Sequence, residues 1–138
     1  MIDMEDEIFG EVSERVYEQF SEKYPDLFVT GEYVKSPPSF PCVSLVEVDN
    51  AVFRNSQTTE GHENHVAVMY ELNVYTNKSV GKKAECKELV AFVDALLMEL
   101  NFTRTMLEPV PNQDDATIYR MLGRYRAVIS KNKTIFRR

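Results

Sequence analysis

Between His65 and Leu100 the spacing of apolar residues switches from a period of two to one of about 3.6. Val66, Val68, Tyr70, Leu72 and Val74 alternate with Ala67, Met69, Glu71, Asn73 and Tyr75. This predicts a strand over 65–76 whose even positions meet a core. After Asn77-Lys78-Ser79, the residues Cys86, Leu89, Val93, Leu96, Leu97 and Leu100 recur at helical spacing, with Val90 and Phe92 widening the stripe. This predicts a helix over 80–100. A strand and a helix that are each apolar on one side must cover one another, so the chain is built in layers.

The flanking segments supply more of both kinds. Ile8, Val12, Val16 and Phe20 recur every four residues and predict an amphipathic helix over 3–24. Its first turns hold Asp3, Glu5, Asp6 and Glu7, where the positive end of the helix dipole favours acids. Tyr24-Pro25 ends it. Leu27 to Lys35 and Cys42 to Val48 are strand candidates, and Ser36-Pro37-Pro38-Ser39-Phe40-Pro41 between them is a stiff connector. Asn101 suits a left-handed helix end. Phe102 to Val110 and Thr117 to Ser130 are the last two expected strands, joined by a Pro-rich acidic turn. Short connections favour antiparallel pairing. The expectation is one domain over residues 1–138, an α+β two-layer sandwich. It has a mainly antiparallel four- to five-stranded sheet with two amphipathic helices on one face, and a basic tail over 131–138.

A length of 138 residues is enough to bury a core without staples. A net charge of -6 argues against a general nucleic-acid binder. Cys42 and Cys86 lack any paired spacing and read as reduced, buried thiols. The acidic start and the lack of a long apolar run predict neither a signal peptide nor a membrane span, and a cytoplasmic origin.

Chemistry-bearing patterns are sparse. Gly61-His62-Glu63-Asn64-His65 contains both histidines but has one residue fewer than the His-Glu-x-x-His zinc motif. A small metal-dependent enzyme using His62 and His65 stays open on this segment alone, against a solvated loop. Asp114-Asp115 are adjacent in an expected exposed turn, where both carboxylates ionise rather than split acid and base roles. Neither a nucleophile elbow nor a phosphate-cradling loop is present. The sequence therefore predicts a protein that is not an enzyme and carries no cofactor. The polar stretch Arg54 to Asn64, with Arg54, Gln57, Glu60 and His62, is long for a hairpin connection and reads as an exposed contact arm. In the last strand, Arg120, Arg124 and Arg126 share one face, opposite Met121, Tyr125 and Ala127. Those arginines suit phosphates, a solvated face, or carboxylates of a neighbouring subunit. Together with Tyr125 they are the candidate subunit interface, because Tyr and Arg are enriched in interface hot spots.

Three features carry a resemblance. They are the strand Tyr70-Glu71-Leu72-Asn73-Val74-Tyr75-Thr76, the helix Cys86 to Leu100, and the hairpin from Pro109-Val110-Pro111-Asn112 through Ala116-Thr117-Ile118-Tyr119-Arg120 to Arg124-Tyr125. In element order and style, roughly 41–130 resembles the tail-terminator and tail-completion proteins of tailed bacteriophages. That resemblance implies an α+β domain forming a ring, hexameric in the family, on the head-proximal end of the tail tube. The implied partners are further copies of the chain, the tail tube protein, a neck or connector protein and, in a contractile tail, the sheath. DNA is implied only as cargo passing the lumen. The implied location is the virion, after assembly in the bacterial cytoplasm. A neck or head-completion protein of the same particle is the alternative. A closed ring needs two different surfaces on one chain. The arginine face of the last strand and the acidic surface of the first helix are the expected pair.

Overall fold

The computed structural model describes residues 1–52, 64–112 and 114–137. Its elements are α1 (Glu5–Phe20), β1 (Phe28–Thr30), β2 (Cys42–Val52), β3 (His65–Thr76), α2 (Lys82–Glu99), β4 (Thr103–Pro109), β5 (Tyr119–Ser130) and β6 (Ile135–Arg137). They form one six-stranded sheet in the order β1-β2-β3-β5-β4, with β6 also on β5. Every pairing is antiparallel except β1 with β2. Both helices lie on one side, α1 over β1 and β2, α2 over β3, β5 and β4. The two-layer α+β expectation is met.

The layers follow from the two periods. Val66, Val68, Tyr70, Leu72 and Val74 of β3 are all buried beneath the helices. They meet Val12 and Val16 of α1 and Leu89, Val93 and Leu97 of α2 in one core cluster. α2 buries six residues and α1 four, matching the wider apolar stripe of the second helix. Asp3 Oδ1 accepts the Glu5 N–H at 3.0 Å, satisfying one donor of the first turn of α1. α2 begins at Gly81, whose φ of 85° only glycine adopts freely. It ends at Asn101, φ 68°, as the sequence predicted. There Phe102 N–H bonds to Leu97 O at 2.9 Å and Asn101 N–H to Met98 O at 3.1 Å. This double closure satisfies the last carbonyls and seats Phe102, fully buried, against the core.

Three features depart from the expectation. The sheet has six strands, because part of the basic tail folds back. Ser130 N–H bonds to Thr134 O at 2.9 Å, and Ile135–Arg137 pairs with Ala127–Ile129. β1 is only three residues long. It runs parallel to β2, because residues 31–41 form a full crossover rather than a hairpin. That crossover lies over the helix-free face: Ser44 Oγ donates to Glu32 O at 2.8 Å, and Tyr75 OH to Val34 O at 3.2 Å. No helix of the described residues is long and apolar enough to cross a membrane.

Candidate interaction face

The strand registers lay out the helix-free face in rows. Cys42, Tyr75 and Arg120 form the first; Ser44, Asn73, Leu122 and Glu108 the second; Val46, Glu71, Arg124 and Met106 the third. Asp49, Met69, Arg126 and Thr103 form the fourth, and Ala51, Ala67, Val128 and Phe136 the fifth. The crossover covers the first rows. Cys42, Ser44, Asn73 and Tyr75 are buried although no helix touches that side. Burial pushes the Cys42 thiol up to about 11, and that of Cys86, in the core, up to about 12, so both are inert thiols. Among the described residues the later rows carry no such crossover; most of their side chains are half-buried, and Val128 is buried.

The three arginines divide along that boundary. Arg120 is committed internally: its Nε donates to Asn73 Oδ1 at 2.9 Å, and its guanidinium lies 5.3 Å from the centre of the Tyr75 ring. Arg124 Nε reaches Glu71 Oε2 at 3.3 Å, in a pair whose arginine is 45% exposed. Such an exposed pair contributes only about 0–1 kcal/mol. Arg126 stands between Met69 and Thr103 and forms no ion pair among the described residues.

Tyr125 does not share this surface. It points to the helix side, is fully buried, and donates its hydroxyl to Asp94 Oδ1 at 2.8 Å. Burial, then that hydrogen bond, holds its hydroxyl far above the ordinary phenol value. Asp94 also receives Arg104 Nη1 at 3.1 Å, so one carboxylate ties α2 to β5 and β4. The strand's own alternation places Tyr125 with Met121 and Ala127, and that geometry prevails over the general enrichment of Tyr in interfaces.

Arg54, Gln57, Glu60 and His62 lie outside the described residues. His65 opens β3, half-buried, with its ring 5.9 Å from that of Phe136. Among the described residues no group of three or more His, Cys, Asp or Glu is placed to hold a metal ion. Asp115 builds its own turn, accepting the backbone N–H and hydroxyl of Thr117. Those bonds hold its carboxyl below the usual range and keep it ionised.

One cluster escaped the sequence reading. Glu47, on the helix side of β2, donates its backbone N–H to Glu5 Oε2 at 2.7 Å. Its Oε1 and the Tyr70 hydroxyl are buried without hydrogen-bond partners among the described residues. Burial raises the Glu47 carboxyl, and burial with the charges of Glu47 and Glu5 raises the Tyr70 hydroxyl. The signal was a glutamate at a core-parity position of β2, legible only once the register is known.

No protein-family model matches this sequence, and no curated protein matches it at a significant level.

Proposed function

We propose that this chain is a structural virion protein, a tail terminator. In this reading copies form a ring that caps the tail tube, meets the sheath where there is one, and joins the tail to the neck of the head. The observation that supports it most is the unpartnered half of the sheet. Antiparallel sheets that face water alternate apolar-in and polar-out. Here the outward rows instead carry Val46, Met69, Met106, Leu122 and Phe136 among Glu71, Arg124 and Arg126. Such a surface suits association. The resemblance in element order supplies the particular assembly. The negative net charge suits a lumen past which DNA slides without sticking.

The test is reconstitution. Purified protein is added to tail tube subunits during polymerisation, and the products are viewed by negative-stain electron microscopy. The expected result is rings in the protein alone and tubes whose length falls as the protein is added earlier. Unchanged tube lengths with no ring at a tube end would overturn the terminator reading. Short capped tubes that fail to join heads would assign the joining step to another protein.

A further inference from the structure

At one end of the sheet, the crossover and the turn between β4 and β5 face each other across a cavity of about 320 Å³. That lies at the lower end of the range for small-ligand pockets, about 300–1,000 Å³. Tyr33 and Lys35 line it from the crossover, Asn112 and Asp114 from the turn, and Tyr75 and Arg120 from the sheet. The last two are a cross-strand pair of β3 and β5.

The walls are fixed from within the chain. Ser44 Oγ donates to Glu32 O and the Tyr75 hydroxyl to Val34 O, which holds the crossover on either side of Tyr33. The Val110 N–H bonds to Arg120 O at 2.9 Å and closes the turn at its base. Tyr33 is therefore held by its neighbours while remaining 70% exposed. A tyrosine so placed offers a flat apolar surface at little cost in conformational entropy.

The contacts that hold Arg120 leave part of it available. Its Nε is on Asn73 and one face of its guanidinium is on Tyr75, which together set the plane of the group. The N–H groups of its two Nη atoms form no hydrogen bond, and the residue no ion pair, among the described residues. Those N–H groups are the end of a planar fork that matches a bidentate oxyanion. Lys35 is exposed and likewise forms no ion pair among the described residues. Asp114 is the opposing charge. Two cations against one carboxylate leave the lining at +1, in a chain whose net charge is -6. A lining of that charge matches a monoanion better than a dianion.

We propose that this cavity binds a small aromatic carboxylate. Its carboxylate sits on the Arg120 Nη groups with Lys35 as the second cation, and its ring lies against Tyr33. The site is complete within one chain, so it stands or falls apart from the ring reading.

Titration of the full chain with sodium benzoate, sodium acetate and phenyl phosphate, followed by amide shifts in NMR spectra, tests this. Benzoate is expected to bind saturably, with the shifts centred on Tyr33, Lys35 and Arg120. Acetate, which lacks the ring, is expected to bind about tenfold more weakly. Arg120→Lys keeps the charge and loses the fork, and is expected to weaken benzoate about tenfold. Tyr33→Ala should bring benzoate down to the level of acetate, and Asp114→Asn should tighten it about twofold to threefold. Benzoate that gives no saturable shifts at the cavity overturns the site, as does binding that Tyr33→Ala and Arg120→Lys leave unchanged. Tighter binding of phenyl phosphate than of benzoate overturns the assignment to a carboxylate. Thermal melting accompanies each variant; Tyr33→Ala, at an exposed side chain, keeps the test decisive if Arg120→Lys does not fold.

Discussion

The two sides of one sheet carry opposite instructions. On the helix side, Tyr70, Leu72 and Tyr125 are fully buried and packed. On the other side, the crossover shields the first two rows at one end and leaves Met69 and Met106 half-buried and Phe136 exposed towards the other. The same strands make both sides, and the pleat separates them residue by residue. Burial is therefore concentrated on the helix side, and the side chains left half-buried or exposed lie on the other.

The sharpest way to break that contrast is a deletion on the inner side. Leu97→Ala removes a fully buried side chain of α2 and is expected to cost about 2–5 kcal/mol. A urea unfolding midpoint reads it. A cost below 1 kcal/mol would mean that the helices are not the principal cover of the sheet.

The Glu47 pocket is expected to show an intermediate effect of opposite sign. Burial raises this carboxyl in the folded chain, so the folded state favours its protonated form. Its contribution is favourable below the ordinary glutamate range and is lost as pH rises through the folded-state value. Near neutral pH the charged form is a liability. Glu47→Gln is expected to stabilise by on the order of 1 kcal/mol at pH 7.5. That gain should shrink as pH falls into the ordinary carboxylate range. Melting curves at pH 7.5 and 4 decide it; an equal gain at both would refute the titration argument.

The outer side should yield the smallest change. Arg124→Ala removes an exposed pair with Glu71 and is expected to move stability by no more than about 1 kcal/mol. A larger loss in the isolated chain would show that the outer rows hold the fold together rather than await a partner.

Much of the inner side could be read directly, because burial imposes a period. The even face of β3, the stripe of α2 and the left-handed Asn101 all lie where local pattern alone predicts them. The outer side resisted for a physical reason. Arg120 looks as free as Arg126 in sequence, and only a register that brings Asn73 beside it shows that it is occupied. β6 was missed because Ile135 and Phe136 stand alone in a basic run and form a strand only by borrowing the edge of β5. The parallel β1 was missed because periodicity carries no strand direction. Alternation along β5 places Tyr125 on the core face, and that position overrides the general enrichment of Tyr in interfaces.

The margins of the sheet decide how readily it can add a further strand. Along one margin, β4 and β6 lie end to end on β5, each too short to span it, and Pro109 lacks a donor. Along the other, β1 covers only Cys42 to Ser44, and just beyond it the Glu5 carboxylate occupies the Glu47 N–H. An incoming strand therefore meets a margin interrupted by short strands, a proline and an occupied N–H. Growth by adding strands, the route to fibrils, is thereby disfavoured along both margins.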